Sequence, residues 1–310
     1  MTDFPKQVDT SSTAISAGGE PRLTTCKWSD EAAGSGTNAC TEAMDSDDTL
    51  ESSSNKLLRN IKGIIFDFDG TLFDNSLLAF HLISAYPFDT LRLWRERLVR
   101  KNFAGRDYST TEEFYKAFFS ALGKACHLSP EYLHNWYFNR YMPRMVKVLK
   151  RHYKLRPGVI ELFRCFSSLD SIKKSQGTIP GIAVYSDYPF LKERMSVLGI
   201  NPSPEIHLYG PESFGAQKPA VRPFQQIAKD LGVTPEEMLV IGDREDTDGL
   251  GAFKAGMRFF CLETGNKRYF RLDPYRRAPI ITSDIHGPSL IMYAGTWNNL
   301  NKLLLEKFGK

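Results

Sequence analysis

The chain has 310 residues, 42% of them hydrophobic, which is longer than a typical single domain and apolar enough for a sizeable core. No apolar run approaches the length of a membrane span. Five cysteines (Cys26, Cys40, Cys126, Cys165 and Cys261) lack CxxC spacing, and six histidines lack zinc-ligand spacing, which argues against a disulfide scaffold or zinc module and fits reduced thiols in a cytoplasm. Charge is unevenly spread. Residues 1–60 hold five Lys and Arg against ten Asp and Glu, about −5, and since the whole chain is +4 the rest carries about +9. That tail is a mixture of small and acidic residues without a sustained apolar pattern, so it is expected to be disordered. Its composition fits neither a secretory signal nor an organelle transit peptide.

Residues 62–66 form a short apolar run that reads as a buried strand, and Asp67-Phe68-Asp69-Gly70-Thr71 follows it. In extended chain, residues two apart share a face, so Asp67 and Asp69 converge while Phe66 and Phe68 share the other side. A divalent cation is the usual way to hold two such carboxylates together at neutral pH. More than a hundred residues separate this run from the next strand, too many for one crossover helix. Helical periodicity is read there at 90–102, 111–125 and 130–150, with Ser129 as the N-cap before Pro130. Helix 90–102 is rich in basic residues, read mainly as a solvated face.

After Arg156-Pro157-Gly158 an amphipathic helix is expected at 159–169, then a strand at 180–185 that delivers Ser186 and Asp187. Gln217-Lys218-Pro219 puts a cation in a loop before a helix at 221–231. A third strand, 238–243, ends in Asp243, followed by Arg244, Glu245, Asp246, Thr247 and Asp248 and a helical run from Gly249 to Ala255. Lys267, Arg268, Arg271, Arg276 and Arg277, interleaved with Tyr269, Phe270 and Tyr275, read as a surface linker, with nucleic-acid stacking the less favoured alternative. Leu290, Tyr293, Trp297, Leu300, Leu304 and Phe308 recur at helical spacing, which predicts a terminal helix that buries one face on the core, with a partner chain the less favoured alternative.

The order of strand-end acid pair, hydroxyl, lysine and second acid resembles the haloacid dehalogenase superfamily of hydrolases over about residues 61–265. Its four motifs are Asp67 to Thr71, Ser186, Lys218, and Gly242-Asp243 with Asp248, the last preferred over Asp246 for its spacing to Gly256. The resemblance implies an α/β fold, a doubly wound, mainly parallel Rossmann-like sheet with an inserted helical cap domain. The expected division is a disordered tail at 1–60, a core at 61–75 and 155–265, a helical cap at 76–154, and an extension with an amphipathic helix at 266–310. It further implies that Asp67 attacks phosphorus, that Asp69 is the acid and base, and that Thr71, Ser186 and Lys218 bind the phosphoryl group. Mg2+ would be held by Asp67, the backbone carbonyl at Asp69, and Asp243, with Asp248 beside them. Arg106, between two cap helices, occupies a loop similar to one that faces the catalytic centre in related caps, or is a solvated loop arginine. Asp69 narrows the chemistry to phosphate esters, because carbon–halogen hydrolysis has no alkoxide to protonate. The expected activity is a phosphatase acting on a small phosphorylated metabolite, with a phosphomutase or a non-catalytic binding protein as alternatives.

Overall fold

A computed structural model describes residues 57–167, 181–263 and 292–308. Among these, six strands form one parallel sheet: β1 Gly63–Asp67, β2 Gly181–Tyr185, β3 Ile206–Tyr209, β4 Met238–Gly242, β5 Arg258–Leu262 and β6 Met292–Gly295. Their spatial order is β3-β2-β1-β4-β5-β6. The chain runs outward from β1 through β2 to β3, then returns to the other side of β1 for β4, so the order reverses between β1 and β4. Open α/β sheets form their functional crevice at the C-terminal ends of the strands flanking such a reversal.

Both faces of the sheet are covered, which is why the central strands read as unbroken apolar runs. Ile64 and Phe66 of β1 join one core, and Ile65 joins the other. Helices α6 Val159–Ser167 and α11 Trp297–Phe308 lie on the first side, where Phe66 packs on Phe163 and Phe166 packs on Phe308. Helices α9 Val221–Asp230 and α10 Leu250–Lys254 supply Phe224, Ile227 and Ala252 to the second. The expected α/β sheet is therefore present, doubly wound in this sense.

Between β1 and α6 the chain is helical: α1 Leu78–Ala85, α2 Thr90–Phe103, α3 Thr111–Cys126, α4 Pro130–Trp136 and α5 Met142–His152. Thr110 caps α3 by accepting from Glu113 N, and Ser129 caps α4 by accepting from Tyr132 N. A π-turn at Tyr137–Tyr141 joins α4 to α5. Pro143 explains the break in the run expected at 130–150, because a proline inside a regular helix removes one backbone bond and crowds the turn before it. Two short helices complete the core, α7 Leu191–Val197 and α8 Pro211–Phe214.

Two boundaries move. Leu57 and Leu58, placed in the tail by the sequence, are buried, and the Arg258 guanidinium donates to the carbonyls of Leu57 and Arg59. Tyr293, assigned to the terminal helix by periodicity, lies instead on β6, opposite Phe260. The helix starts at Trp297, whose indole N–H donates to Pro157 O at 2.7 Å. Leu290, the basic stretch at 267–277, and Cys26 and Cys40 lie outside the described residues. Among the described residues, Cys126, Cys165 and Cys261 form no disulfide. No described helix is long and apolar enough to cross a membrane.

Candidate active site

Asp67 closes β1 and Asp243 follows β4, so the sheet reversal alone brings the two acids together. Asp248 joins them from a π-turn at Glu245–Gly249 that leads into α10. Carboxylate oxygens of Asp67, Asp243 and Asp248 lie within 4.8 Å of one another. Lys218 enters from the loop before α9 and is almost fully buried. Its ammonium donates to Asp67 Oδ1 at 2.6 Å and to Asp248 Oδ1 at 2.8 Å. Thr71 Oγ1 donates to the other oxygen of Asp67 at 3.0 Å. Asp246, by contrast, is exposed and paired with Arg244.

One ammonium does not balance three carboxylates. Burial pushes Asp67 up to about 7, with Lys218 opposing and Asp248 and Asp69 adding to the rise. Asp243 is likewise raised to about 7, by burial and then by Asp67. Asp248 rises to about 6, again through burial, against the pull of Lys218. Burial would strip the proton from Lys218, but Asp248 and Asp67 outweigh it and hold the group well above the ordinary lysine range. Asp243 Oδ1 is buried without a hydrogen-bond partner. An all-carboxylate donor set with excess negative charge and an orphaned oxygen suits a hard divalent cation.

Gly70 lets the loop pass this close. Its φ is +101°, and a Cβ there would stand 2.6 Å from Asp243 Oδ2. Arg156 secures the same loop by donating to Gly70 O and Thr71 O, each at 2.9 Å.

Asp69 faces a different environment. Both its oxygens accept from Arg194 Nη1, at 2.8 and 2.7 Å, and Ser186 Oγ donates to Oδ2 at 2.8 Å. The Ser186 hydroxyl also accepts from Tyr188 N and from Arg194 Nη2. One donor and two acceptor sites are thereby used, so its hydroxyl is engaged with Asp69 rather than aimed into the space beside Asp67. Arg194 was not singled out from the sequence. The available signal was its position: on α7 it follows Leu191 by three residues and precedes Leu198 by four, on the apolar stripe where a charge is out of place.

Arg106 lies in the loop between α2 and α3. Its guanidinium is exposed, 5.0 Å from the ring of Phe103, and donates to Tyr108 Oη. Its backbone carbonyl, however, accepts from Gln217 N, next to Lys218. Gly105 N donates to Lys218 O and Tyr108 N to Gly215 O, so the α2–α3 loop pairs with the lysine loop.

The family model described as "Hydrolase: haloacid dehalogenase-like hydrolase" matches residues 61–256, well over half of the chain and every acid named above. The chain belongs to the haloacid dehalogenase-like hydrolases. A curated relative, the glyceraldehyde 3-phosphate phosphatase of Methanopyrus kandleri, is 48% identical over 63 residues, which is 20% of this chain and only 26% of that protein. Among solved structures, this hydrolase is similar to a predicted phosphoglycolate phosphatase from Haemophilus somnus. The TM-score is 0.39 at 22% identity, covering 66% of this chain and 85% of that one. It is also similar to an L-2-haloacid dehalogenase, with a TM-score of 0.47 at 17% identity, covering 79% and 98%.

Proposed function

We propose that this hydrolase is a Mg2+-dependent phosphatase that cleaves a small phosphorylated metabolite through an aspartyl phosphate on Asp67. The observation that carries the reading is the pairing of two differently held carboxylates. Asp67 lies in a charged cluster with Lys218, and Asp69 stands apart on its own arginine.

An aspartate is ionised at neutral pH once a cation offsets its neighbours, so as a nucleophile it needs no base. One Asp67 oxygen attacks phosphorus, the bond from phosphorus to the ester oxygen breaks, and that oxygen takes a proton from Asp69. Water then attacks the aspartyl phosphate and gives its proton to Asp69, and the bond from phosphorus to the Asp67 oxygen breaks to release phosphate. In this reading Lys218 and Thr71, which both donate to Asp67, neutralise and orient phosphoryl oxygens, while Ser186 acts through Asp69. Asp67, the Asp69 carbonyl and Asp243, with Asp248 adjoining, would hold Mg2+, which when bound offsets charge on the phosphoryl group. The phosphatase name of the Methanopyrus kandleri relative supports the same reaction class.

The insert, residues 76–154, is proposed as a cap that screens the site and selects the ester, because the core sees only the phosphoryl group. A cytoplasmic location and a small-molecule substrate complete the reading. The test is a panel of phosphate monoesters with and without Mg2+. Turnover should need both the metal and Asp67, and an Asp67→Asn protein with normal activity would refute the mechanism.

A further inference from the structure

Arg194 is a fully buried cation on a short helix, far in sequence from the acid it meets. Its five N–H donors meet five acceptors: Nε donates to Pro189 O, Nη1 to both oxygens of Asp69, and Nη2 to Ser186 Oγ and Tyr188 O. Its guanidinium also lies 4.8 Å from the ring of Phe68, the residue between the two acids. An arginine needed only to brace the Tyr188–Pro189 loop would use the two carbonyls. Here the remaining donors go to Asp69 and to the serine that itself binds Asp69.

The arrangement fixes the plane of the Asp69 carboxylate. Without it, a carboxylate two residues from Asp67 would be free to turn toward the cation-binding trio and become one more ligand. Held as it is, Asp69 contributes no side-chain oxygen to that trio and remains available for proton exchange.

The insert braces the same loop. Arg100 of α2 is buried, donates to Asp187 O at 2.8 Å, and lies 4.2 Å from the ring of Tyr188, while Glu96 and Tyr137 hold its other donors. Tyr188 is thus gripped through its ring by the insert and through its carbonyl by Arg194.

We propose that Arg194 is the positioning residue for the general acid: it keeps Asp69 turned away from the cation site, with Arg100 of the helical insert steadying the loop through which it works. This rests on the phosphatase reading above, and two separate measurements distinguish their failures. The first is a crystal structure of Arg194→Met with Mg2+ bound. The Asp69 carboxylate should leave its present position, and an unmoved Asp69 would overturn the proposal whatever the turnover. The second compares 4-nitrophenyl phosphate, whose leaving group needs little proton assistance, with ethyl phosphate, which needs it fully. General-acid assistance is worth about 10²–10⁴-fold, so Arg194→Met should lose at least about tenfold more kcat on ethyl phosphate than on the aryl ester. Arg100→Met should show the same bias, more weakly.

Equal losses on both esters would reduce Arg194 to a structural brace and overturn the proposal. Arg194→Lys, which keeps the charge but not the fork, reads the same ratio and the same Asp69 position if the methionine variant fails to fold. Absence of Asp67-dependent turnover in the wild type would sink the phosphatase reading instead, leaving the position of Asp69 to decide the role of Arg194.

Discussion

Replacing Lys218 by methionine tests the electrostatic logic of the site without any substrate. The ammonium is almost fully buried and is shared by Asp67 and Asp248, so the variant leaves Asp67, Asp243 and Asp248 in close contact without the ammonium that pairs with two of them. Removing one partner of a buried ion pair typically costs about 3–5 kcal/mol. At about 2–4 °C per kcal/mol for a domain of this size, Tm should fall by roughly 6–20 °C.

The loss should depend on pH in a set direction. Folding raises all three carboxyls above their unfolded values, to about 7 for Asp67 and Asp243 and about 6 for Asp248. Groups shifted upward stabilise fully below the unfolded value, about 3.9, and that contribution disappears as pH rises through 6 to 7. Lys218, also raised, contributes fully below the ordinary lysine value, so its own contribution is constant across this window. Without it only Arg244, acting on Asp243, opposes the mutual repulsion, and the deficit against wild type should be small at pH 5 and largest near pH 8. Thermal unfolding followed by circular dichroism in EDTA at both pH values reads this directly, and added Mg2+ should recover part of the loss at pH 8. Equal Tm losses at pH 5 and pH 8 would refute the reasoning.

Gly70→Ala places a methyl group against Asp243 at a positive φ. The conformational cost is about 1–2 kcal/mol, and calorimetry should show weakened Mg2+ affinity while the far-ultraviolet spectrum is kept. Arg222→Met breaks a two-point pair with Asp107 whose side chains are 42% and 30% exposed. Solvent screening limits the loss to about 1 kcal/mol or less. Because hydrogen bonding to Arg222 holds Asp107 below its usual range, the pair stabilises above the unfolded carboxylate value and is lost as pH falls through the folded one. Urea titrations should therefore show the deficit at pH 7 and its shrinkage in acid. Leu304→Ala removes a fully buried side chain of α11, and a loss of about 2–5 kcal/mol in urea denaturation is expected if that helix is part of the core.

The central strands were legible because a parallel sheet covered on both faces needs continuous apolar runs, and β2 and β4 each supply one of five residues and β1 one of four before Asp67. The acids were legible because they stand where those runs end. Other features depended on contacts between distant parts of the chain. Arg194 meets Asp69 across 125 residues, a distance at which local periodicity carries no information. Ser186 had the right residue type at a strand end, but the partner of its hydroxyl was fixed by that same arginine. Tyr293 precedes Trp297 by four residues, a spacing that a helix shares with a strand entering one. Pairing with β5 decided for the strand.

The lysine loop and the insert are structurally interdependent. Backbone groups near the end of a loop need partners, and an unpaired buried donor or acceptor costs about as much as a lost hydrogen bond. Gly215 O, Gln217 N and Lys218 O obtain theirs from Tyr108, Arg106 and Gly105 of the insert. Gly215, at φ +62°, lies so close to the Thr110 carbonyl that a Cβ there would overlap it. Thr111 Oγ1 donates to Glu212 O, and Asp107 pairs with Arg222 at the same junction. Lifting the insert would return these groups to water and loosen the loop that carries Lys218. On the other side, the same movement would withdraw Arg100 from Asp187 and Tyr188. Docking of the insert therefore favours the positions of Lys218 and Asp69 together, so both side chains are ordered when the insert is in place.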